Sequence, residues 1–364
     1  MVLATVAGGD ICTVIDEGVL NTDTAGDTRT WLLEQCHLVA VVRLPDETFK
    51  PNKINVKSSV LYMRKLEAAD TNHVSNHKVI FCDVKSLGYE GSGESIRGFD
   101  FRALRDSVAA CIRGQTKSRS GGFWNAFDVK MSEIWADPSC RLDLKYWHPE
   151  QRQHITELRK SGAPTIKELT TRPVKRGKSP SAELYVDERD GYALVIKSGT
   201  NISKLGNLLE SGDDLDYIEK NIYDEMPTVQ VEVGDVLLAS TGDGTLGKCC
   251  VYRSKQPAIA DGHVTIIRPD QKRVYPEYLC DYLRAGLGGR EVDRLFSGST
   301  GMIELTPDHV NSIPVDLLCN DLERQKSLSD TLRAGEVAAM YKLKEAESDL
   351  RTARSGFENL HPEE

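Results

Sequence analysis

Apolar runs bounded by glycine, proline and charged residues predict strands in the first hundred or so residues. These runs are residues 10–16, 38–44, 56–63 and 79–84, and a mixed segment over residues 27–36 predicts a helix between the first two. Continuous apolar runs are typical of strands that are covered on both faces. The alternation of strand and helix therefore predicts part of an α/β sheet.

A second set of short β-branched runs begins at Val231. Gly234-Asp235 turns the chain before an apolar run, and a glycine-punctuated loop, residues 241–247, follows it. The pattern then predicts strands over residues 248–252 and 263–268 and a helix over residues 276–285. Strands in quick succession followed by a helix predict an α+β domain.

The C-terminal segment has a different periodicity. No proline occurs from Asp321 to about Leu360, and apolar residues recur there at steps of three and four between charged ones. Such spacing predicts a long amphipathic helix over residues 321–364, of the kind that pairs in a coiled coil. The alternative is a helix that packs on its own domain. The repeating residues are Leu332, Ala339, Leu343, Ala346, Leu350, Ala353, Phe357 and Leu360.

Composition narrows the class of protein. The chain has 364 residues, of which 40% are hydrophobic and 28% charged, which is typical of a water-soluble globular protein with two ordinary domains. No apolar run is long enough to span a bilayer, and the N-terminus lacks the basic start of a signal peptide. We therefore expect a cytoplasmic protein with no membrane partner.

The cysteines and the charge exclude other classes. Nine cysteines are scattered without a C-x-x-C pair, so we expect no metal site and reduced thiols. A net charge of −9 argues weakly against a globally basic nucleic-acid-binding protein. Local basic loops remain compatible with DNA binding, because phosphate contacts need only a few Lys or Arg on one face.

The region from Arg141 to Leu318 resembles the target recognition domain of type I restriction enzyme specificity subunits. The resemblance lies in the order of a Gly-Asp-apolar strand, a glycine-rich loop, an Arg-Pro strand end (Arg268-Pro269) and a Pro-x-Tyr-Leu helix (Pro276–Leu279). The segment Arg141–Pro149 is similar to the Arg-Leu-Asp-x-x-Tyr-Tyr-x-Pro start of such domains. In that family a long helix separates and orients the recognition domains.

The N-terminal region resembles the C-terminal part of the catalytic domain of adenine-specific amino DNA methyltransferases, the modification subunits of type I systems. A Gly-Gly turn, a strand ending in Asp16-Glu17-Gly-Val-Leu, an Arg-x-x-Leu-Leu helix and a Leu-Pro-x-x-x-Phe corner occur in the family's order. Asp16-Glu17 stands where the family has Pro-Asp, and Lys57-Ser58 where it has Thr-Ser. The resemblance implies a partial Rossmann-like methyltransferase sheet over residues 1–110.

Two motifs of that family are missing. The sequence has no Pro-Pro pair, and the Gly-x-Gly pairs Gly91/Gly93 and Gly242/Gly244 lie in polar loops that open no helix. In the family, a glycine loop approaches S-adenosylmethionine and a Pro-Pro-Tyr motif holds the target amino group. We therefore expect no catalytic residues and no cofactor bound by this chain alone, although the resemblance implies S-adenosylmethionine for a complete enzyme. The chain is then a truncated remnant, one half of a split enzyme, or a cloned fragment.

A polar, Gly/Ser-rich stretch, residues 117–122, predicts a linker over residues 111–140. The recognition domain would then occupy residues 141–320. The complete fold prediction is an α/β protein with a partial Rossmann-like methyltransferase sheet, followed by an α+β target recognition domain and a long C-terminal amphipathic helix.

The loop from Arg172 to Lys178 carries four positive charges in seven residues. Arg and Lys donate charge-assisted hydrogen bonds to phosphate, and Arg binds guanine in a bidentate manner. The alternative is a solvated surface loop. With the polar turns that the family places near DNA, the predicted DNA-binding residues are Arg172, Lys175, Arg176, Lys178, Asn201, Ser240, Thr241 and Lys248.

Phe49 lies in the Leu-Pro-x-x-x-Phe corner, where relatives place an aromatic residue near an adenine flipped from the stack. The resemblance therefore implies a place for Phe49 in a flipped-base pocket. Plain core packing is the alternative.

These patterns favour sequence-specific binding of double-stranded DNA within a restriction-modification or phage-defence system that methylates adenine. One alternative is a protein-interaction scaffold that has lost DNA binding. Another is half of a split, active adenine methyltransferase. The predicted partners are double-stranded DNA and either a methyltransferase subunit or a second copy of the chain, bound through the C-terminal helix.

Overall fold

The computed structural model of the protein describes residues 1–212, 214–299 and 301–358. The chain forms two compact units, each assembled from separate stretches of sequence. Unit 1 comprises Met1–Ser161, Thr241–Leu246 and Arg290–His309. Unit 2 comprises Gly162–Ser240, Gly247–Gly289 and the chain from Val310 onward.

Unit 1 is built on a six-stranded sheet with the order β1-β3-β2-β4-β6-β5. β2 and β4 are parallel, and the other neighbouring strands are antiparallel. Since β3 runs antiparallel to both β1 and β2, the strands β1, β2 and β4 point the same way. The strands are β1 (Asp10–Asp16), β2 (Cys36–Arg43), β3 (Ser58–Lys65), β4 (Lys78–Val84), β5 (Ser120–Gly121) and β6 (Trp124–Lys130).

Both faces of this sheet are covered. Leu38, Val41 and Phe81 belong to a core on one face, whereas Ala40 and Cys82 belong to a core on the other. Burial on both faces explains why β2 and β4 appear in the sequence as continuous apolar runs. The unit 1 helices in this part of the chain are α1 (Glu17–Asn21), α2 (Gly26–Gln35), α3 (Phe101–Ile112), α4 (Met131–Trp135), α5 (Leu144–Trp147) and α6 (Pro149–Lys160).

Residues 111–140, which we expected to form a linker, belong to unit 1 and supply β5 and β6 of its sheet. β6 pairs with β4 along its whole length, from Lys78 opposite Lys130 to Val84 opposite Trp124. The Gly/Ser-rich stretch is the short turn before β6, where β5 pairs with β6. The composition indicated a turn correctly, but pairing with β4 makes the segment a strand rather than a connection.

The segment Arg141–Pro149 also packs within unit 1, although it resembles the start of a recognition domain. Leu142, Leu144 and Trp147 join the core beneath the sheet. Buried Arg141 forms a bidentate ion pair with Asp143 at 2.8 and 3.0 Å and donates to the carbonyl oxygen of Leu295 at 2.6 Å. The compact unit that begins after this segment therefore starts at Gly162 rather than at residue 141.

Unit 2 contains two small sheets. A four-stranded sheet has the order β11-β10-β13-β7, and a three-stranded sheet has the order β12-β8-β9. One core joins them, with Leu194, Tyr217, Leu237, Ile259 and Val264 almost fully buried. The strands are β7 (Lys175–Arg176), β8 (Ala193–Ile196), β9 (Tyr217–Ile218), β10 (Val236–Ala239), β11 (Cys249–Val251), β12 (Ala258–Ala260) and β13 (Val264–Ile267).

The remaining helices follow the same chain order. In unit 2, α8 packs on β10 and β11, and α11 packs on α8. α9 and α10 span the points where the chain passes between the two units in sequence. They are α7 (Lys220–Asp224), α8 (Pro276–Ala285), α9 (Leu287–Leu295), α10 (Pro307–Asn311) and α11 (Leu322–Glu358).

The long C-terminal helix is confirmed over the described residues, because α11 is 37 residues long. Leu360, the last apolar position of the predicted repeat, lies outside the described residues. No described helix combines the length and the apolar composition that a bilayer span requires.

Candidate nucleic-acid interface

The basic segment of unit 2 is anchored by Asp235, whose side chain is almost completely buried. Asp235 receives a bidentate pair from Arg268, with Nε at 2.7 Å and Nη2 at 2.8 Å. Its carboxylate also accepts from the backbone N–H of Glu232 at 2.8 Å. Gly234, with φ +97°, supplies the left-handed turn that brings this carboxylate inward.

Arg172 belongs to the same ion-pair cluster. Its Nη2 lies 3.7 Å from the Asp235 carboxylate and donates to the carbonyl oxygen of Gln230 at 3.4 Å. Burial, reinforced by the nearby Arg268 guanidinium, lowers the pKa of Arg172. The predicted DNA contact Arg172 is therefore already engaged by a carboxylate within its own unit.

Lys175 and Lys178 differ from Arg172 because both are exposed. Lys175 lies on β7, an edge strand, where it pairs in register with Ile266 of β13. Arg176, opposite Thr265, is partly buried. The ladder therefore fixes the backbone of the basic segment and leaves two lysine side chains in solvent.

A glycine fixes the far end of this segment. A Cβ atom at Gly177 would overlap the carbonyl oxygens of Ala260 and Asp261. The backbone N–H of Lys178 donates to Ala260 at 3.0 Å, and Ser179 Oγ accepts from the N–H of Gly262 at 3.1 Å. Lys178 thus projects from a backbone that is pinned on both sides, which favours a defined position for its ammonium group.

Asn201 is buried, and its amide is fully engaged in a turn. Its Oδ1 accepts from the N–H of Lys197 at 2.9 Å and the hydroxyl of Thr200 at 3.1 Å, while its Nδ2 donates to the carbonyl oxygen of Leu209 at 2.9 Å. A DNA contact through this side chain would require those bonds to break. The geometry supports a structural role for Asn201.

Ser240 is also inside the fold. Its Oγ accepts from the hydroxyl of Thr265 at 2.9 Å, and the residue is fully buried. Lys248, partly buried, lies just before β11, where its carbonyl oxygen accepts from the N–H of Ala239 at 2.8 Å. Of these two predicted contacts, only Lys248 has a side chain that reaches solvent.

The remaining two candidates lie in unit 1. Thr241, in the segment Thr241–Leu246, forms an isolated bridge with Glu304. Phe49 is partly buried and precedes a short 3-10 turn, in which its carbonyl oxygen accepts from the N–H groups of Asn52 at 3.0 Å and Ile54 at 3.2 Å. A flipped-base pocket around Phe49 stays a prediction.

Sequence reasoning missed the pairing of Asp235 with Arg268, although its signal was present. The Gly-Asp strand start and the Arg-Pro strand end were noted as separate pieces of one pattern. The bidentate ion pair gives the physical reason why they occur together, because it joins the start of β10 to the end of β13. The charged residues at these two strand ends, Asp235 and Arg268, therefore form a contact within unit 2.

The N-terminal part of the chain was compared with known protein families. Residues 1–120 match the family model described as N-6 DNA Methylase. The N-terminal third of the chain is therefore similar to N-6 DNA methylases. The expected resemblance to adenine-specific methyltransferases is therefore confirmed at the level of this family. No curated protein matches the chain.

Three solved structures are similar to parts of the chain. The type IIG restriction endonuclease BpuSI has 11% identity and a TM-score of 0.40, covering 90% of this chain and 42% of that one. A modification subunit of a putative type I restriction enzyme from Vibrio vulnificus YJ016 has 17% identity and a TM-score of 0.27, covering 35% and 24%. The HsdS subunit from Thermoanaerobacter tengcongensis has 13% identity and a TM-score of 0.33, covering 91% of both chains.

These TM-scores are too low to carry an argument about function. The chain also spans less than half the length of BpuSI and of the Vibrio modification subunit. The comparisons thus give one family match, that of residues 1–120 to N-6 DNA Methylase.

The N-6 DNA methylase family implies S-adenosylmethionine for a complete enzyme, so we tested whether this chain could hold it. Gly91 and Gly93 lie in a loop that ends well before α3, which is capped by Asp100. Gly242 and Gly244 form a turn without a following helix in the described residues. Neither pair offers helix N–H groups to a ligand. A third pair, Gly286/Gly288, lies at the start of α9, but Cβ atoms at these positions would crowd Tyr282, so these glycines pack against their own chain. The three glycine pairs therefore do not fit the cofactor.

Proposed function

We propose that this chain recognises double-stranded DNA in a sequence-specific manner within a restriction-modification or phage-defence system that methylates adenine. The observation that carries the proposal is the match of residues 1–120 to the N-6 DNA methylase family. The resemblance of the following region to a target recognition domain supplies the recognition role.

The geometry of unit 2 supports a specific contact surface. Lys175 and Lys178 are exposed on a segment that β13 and the turn at Ala260–Gly262 hold in place. Lysines on a rigid backbone suit phosphate contacts, which set the register of a protein on the duplex. Lys248 is the third candidate in this unit. Arg172 and Arg176 contribute to holding the segment.

The test is binding of duplex DNA by the full chain, measured by fluorescence anisotropy over a series of salt concentrations. Changing Lys175→Gln and Lys178→Gln together should weaken binding and lower the slope of log affinity against log salt by about two units, because each phosphate contact contributes about 0.9. The matched control is Lys342→Gln with Lys344→Gln, which removes the same charge from exposed positions on α11.

Selection from a randomised duplex pool tests sequence specificity directly. An enriched sequence bound at least about a thousandfold more tightly than the pool would support recognition. Equal affinity for all sequences, or a salt slope unchanged by the lysine substitutions, would reject this assignment of the interface.

A second candidate function is a protein-interaction scaffold, and one observation favours it. α11 exposes several large apolar side chains, including Tyr341, Leu343, Leu350 and Phe357. Exposed apolar side chains that recur along one helix mark an interaction face. The two functions are compatible, since we propose that α11 binds a methyltransferase subunit or a second copy of the chain while unit 2 contacts DNA.

In this proposal, S-adenosylmethionine is bound by a partner chain and not by this chain. We propose that the cofactor and the Pro-Pro-Tyr motif are supplied by another polypeptide, which would make this chain one half of a split methyltransferase. Reconstitution of adenine methylation on mixing the two chains, with neither active alone, is the measurement that separates this arrangement from a pure recognition role.

A further inference from the structure

A cavity of about 330 Å³ opens in unit 1. Its lining includes Glu17 at the start of α1, Arg43 at the end of β2 and Asp83 near the end of β4. These elements place it at the carboxyl ends of β1, β2 and β4, which point the same way. In open α/β sheets, the crevice outside the carboxyl ends of the strands is the usual place for a ligand. The volume lies at the lower end of the range of about 300–1,000 Å³ for small-molecule sites.

The rim of this cavity carries more positive than negative charge. Arg43 pairs with Asp46 at 2.7 Å and with Asp83 at 3.3 Å. Lys57 lies 3.8 Å from the same Asp46, and Lys85 pairs with the same Asp83. Three cations therefore share two carboxylates, which leaves one formal positive charge unneutralised.

Lys145, in α5, adds a fourth basic residue to the lining of the cavity. Its Nζ donates to the carbonyl oxygen of Phe296 at 2.8 Å and lies over the Phe296 ring. Within the described part of the chain, no carboxylate forms an ion pair with it. Burial lowers the pKa of Lys145 well below its usual range. The carboxylates of Asp143, Glu17 and Asp293 oppose this shift, but Asp143 is already paired with Arg141, and a bound anion would further stabilise the ammonium form of Lys145.

Glu17 lines the same cavity. Its carboxyl group is buried and accepts a hydrogen bond from the Ser59 hydroxyl. Burial raises the pKa of Glu17, which favours its neutral form. Two further lining residues have unsatisfied polar atoms, since His148 Nδ1 and Gln151 Oε1 are buried without a hydrogen-bond partner among the described residues.

We propose that this cavity binds a phosphate group, with Lys57, Lys85 and Lys145 as its cationic donors and Arg43 behind them. Lysine and arginine are the usual protein partners of phosphate, through charge-assisted hydrogen bonds. The phosphate comes from one of two sources: a free phosphate or nucleotide, or the backbone of a nucleic acid. The site lies in unit 1, so it stands independently of the lysines of unit 2 in the proposed DNA interface.

Calorimetric titration of the full chain with inorganic phosphate and with a nucleoside monophosphate tests the first source. The salt dependence of duplex DNA binding, measured by anisotropy, tests the second.

The variants change the charge of the lining residues. Lys145→Met keeps the length of the side chain and removes its charge, whereas Lys145→Arg retains the charge. Lys57 is half-exposed, so we expect Lys57→Gln to leave the protein folded. This variant therefore keeps the proposal testable if Lys145→Met, at a buried position, prevents folding. Lys130→Gln removes an exposed charge of unit 1 that does not line the cavity.

We expect Lys145→Met and Lys57→Gln each to weaken phosphate binding about tenfold, with Lys145→Arg partly restoring it and Lys130→Gln having no effect. If free phosphate does not bind, the same variants should lower the DNA salt slope by about one unit, which assigns the site to a backbone phosphate. The proposal is overturned if neither free phosphate nor nucleotide binds and the DNA salt slope is unchanged in Lys57→Gln. A loss confined to the Lys175 and Lys178 variants would support the DNA interface and reject this site.

Discussion

Asp235 is the residue on which the basic segment of unit 2 depends. It holds Arg268 in a bidentate pair and lies within ion-pair distance of Arg172. Arg172 and Arg268 therefore contact a carboxylate of their own unit and stabilise its fold. A buried carboxylate that pairs with two guanidinium groups costs desolvation, and its removal leaves Arg268 with only the exposed Glu232 as an ion-pair partner.

We expect Asp235→Asn to destabilise unit 2 by about 3 kcal/mol, because the buried partner of Arg268 loses its charge. Hydrogen exchange measured by mass spectrometry should show faster exchange in β10 and β13. The control is Asp224→Asn on the surface of α7, which should change stability by less than about 0.5 kcal/mol. Unaltered exchange in β10 and β13 of the Asp235 variant would mean that the ion pair contributes little to the fold.

Asn201 and Ser240 illustrate the same point for uncharged residues. Both are polar residues in turns, and a polar turn in sequence is compatible with either DNA contact or local hydrogen bonding. Their partners lie inside the fold, on Leu209 and Thr265 among others. Burial decides between the two roles, and burial depends on contacts that a local pattern does not contain.

At the scale of elements, α11 has two distinct parts. Its first turns pack against α8, where Asp281 accepts from Ser329 and from Arg333 Nε at 3.0 Å, and Arg284 Nη1 donates to Glu336 at 2.8 Å. Beyond Glu336, residues 337–354 are all exposed. There Leu343, Leu350 and Phe357 recur at intervals of seven residues, which is the heptad spacing of a coiled coil.

We expect Leu343→Gln with Leu350→Gln to abolish association of the chain with itself or with a partner helix, because these side chains form the exposed apolar stripe. Sedimentation velocity over a range of concentrations measures self-association, and co-sedimentation tests a candidate methyltransferase subunit. Truncation of the whole helix is a poorer test, since it would also remove Gln325 and Ser329, which are buried in unit 2.

The control is Lys342→Gln with Lys344→Gln, in the same part of α11, which changes charge and leaves the stripe intact. If the leucine variant and the natural chain sediment alike in every mixture, the exposed half of α11 is not an interaction face. A folded unit 2 in the variant, checked by hydrogen exchange of α8, excludes a trivial loss of structure.

At the scale of the whole molecule, the two units do not follow the sequence boundaries that composition suggested. Unit 1 takes in Arg290–His309 as well as the N-terminal sheet. Within it, Arg141 binds the carbonyl oxygens of Leu295 and Phe296. A segment that resembles the start of a recognition domain is thus a structural part of the unit that contains residues 1–120, which are similar to N-6 DNA methylases.

We expect the isolated chain not to bind S-adenosylmethionine, because Gly91/Gly93 and Gly242/Gly244 are not followed directly by a helix, and Gly286/Gly288 at the start of α9 pack against Tyr282. Isothermal titration calorimetry of the full chain with the cofactor is the measurement, and the same titration after addition of a candidate partner chain is the positive control. Micromolar binding by the isolated chain would contradict the prediction and would point to a cofactor site that the family motifs do not describe.

The sequence by itself determined the main elements of this protein. The predicted strand over residues 10–16 is β1, and the predicted helix over residues 276–285 is α8, with the same bounds in both cases. It also determined the long C-terminal helix and the resemblance of the N-terminal segment to a methylase family. These features are local, because side-chain periodicity and turn residues act within a few positions of the chain.

Only the tertiary structure decided which residues meet. Pairing with β4 made a strand of the expected linker, and Arg141 joined unit 1 through carbonyl groups that lie more than one hundred residues away. Asp235 engaged Arg172, and the cations Lys57, Lys85 and Lys145 came together around one cavity. Each of these contacts joins segments that are far apart in sequence, and no local pattern encodes the folding that brings them together.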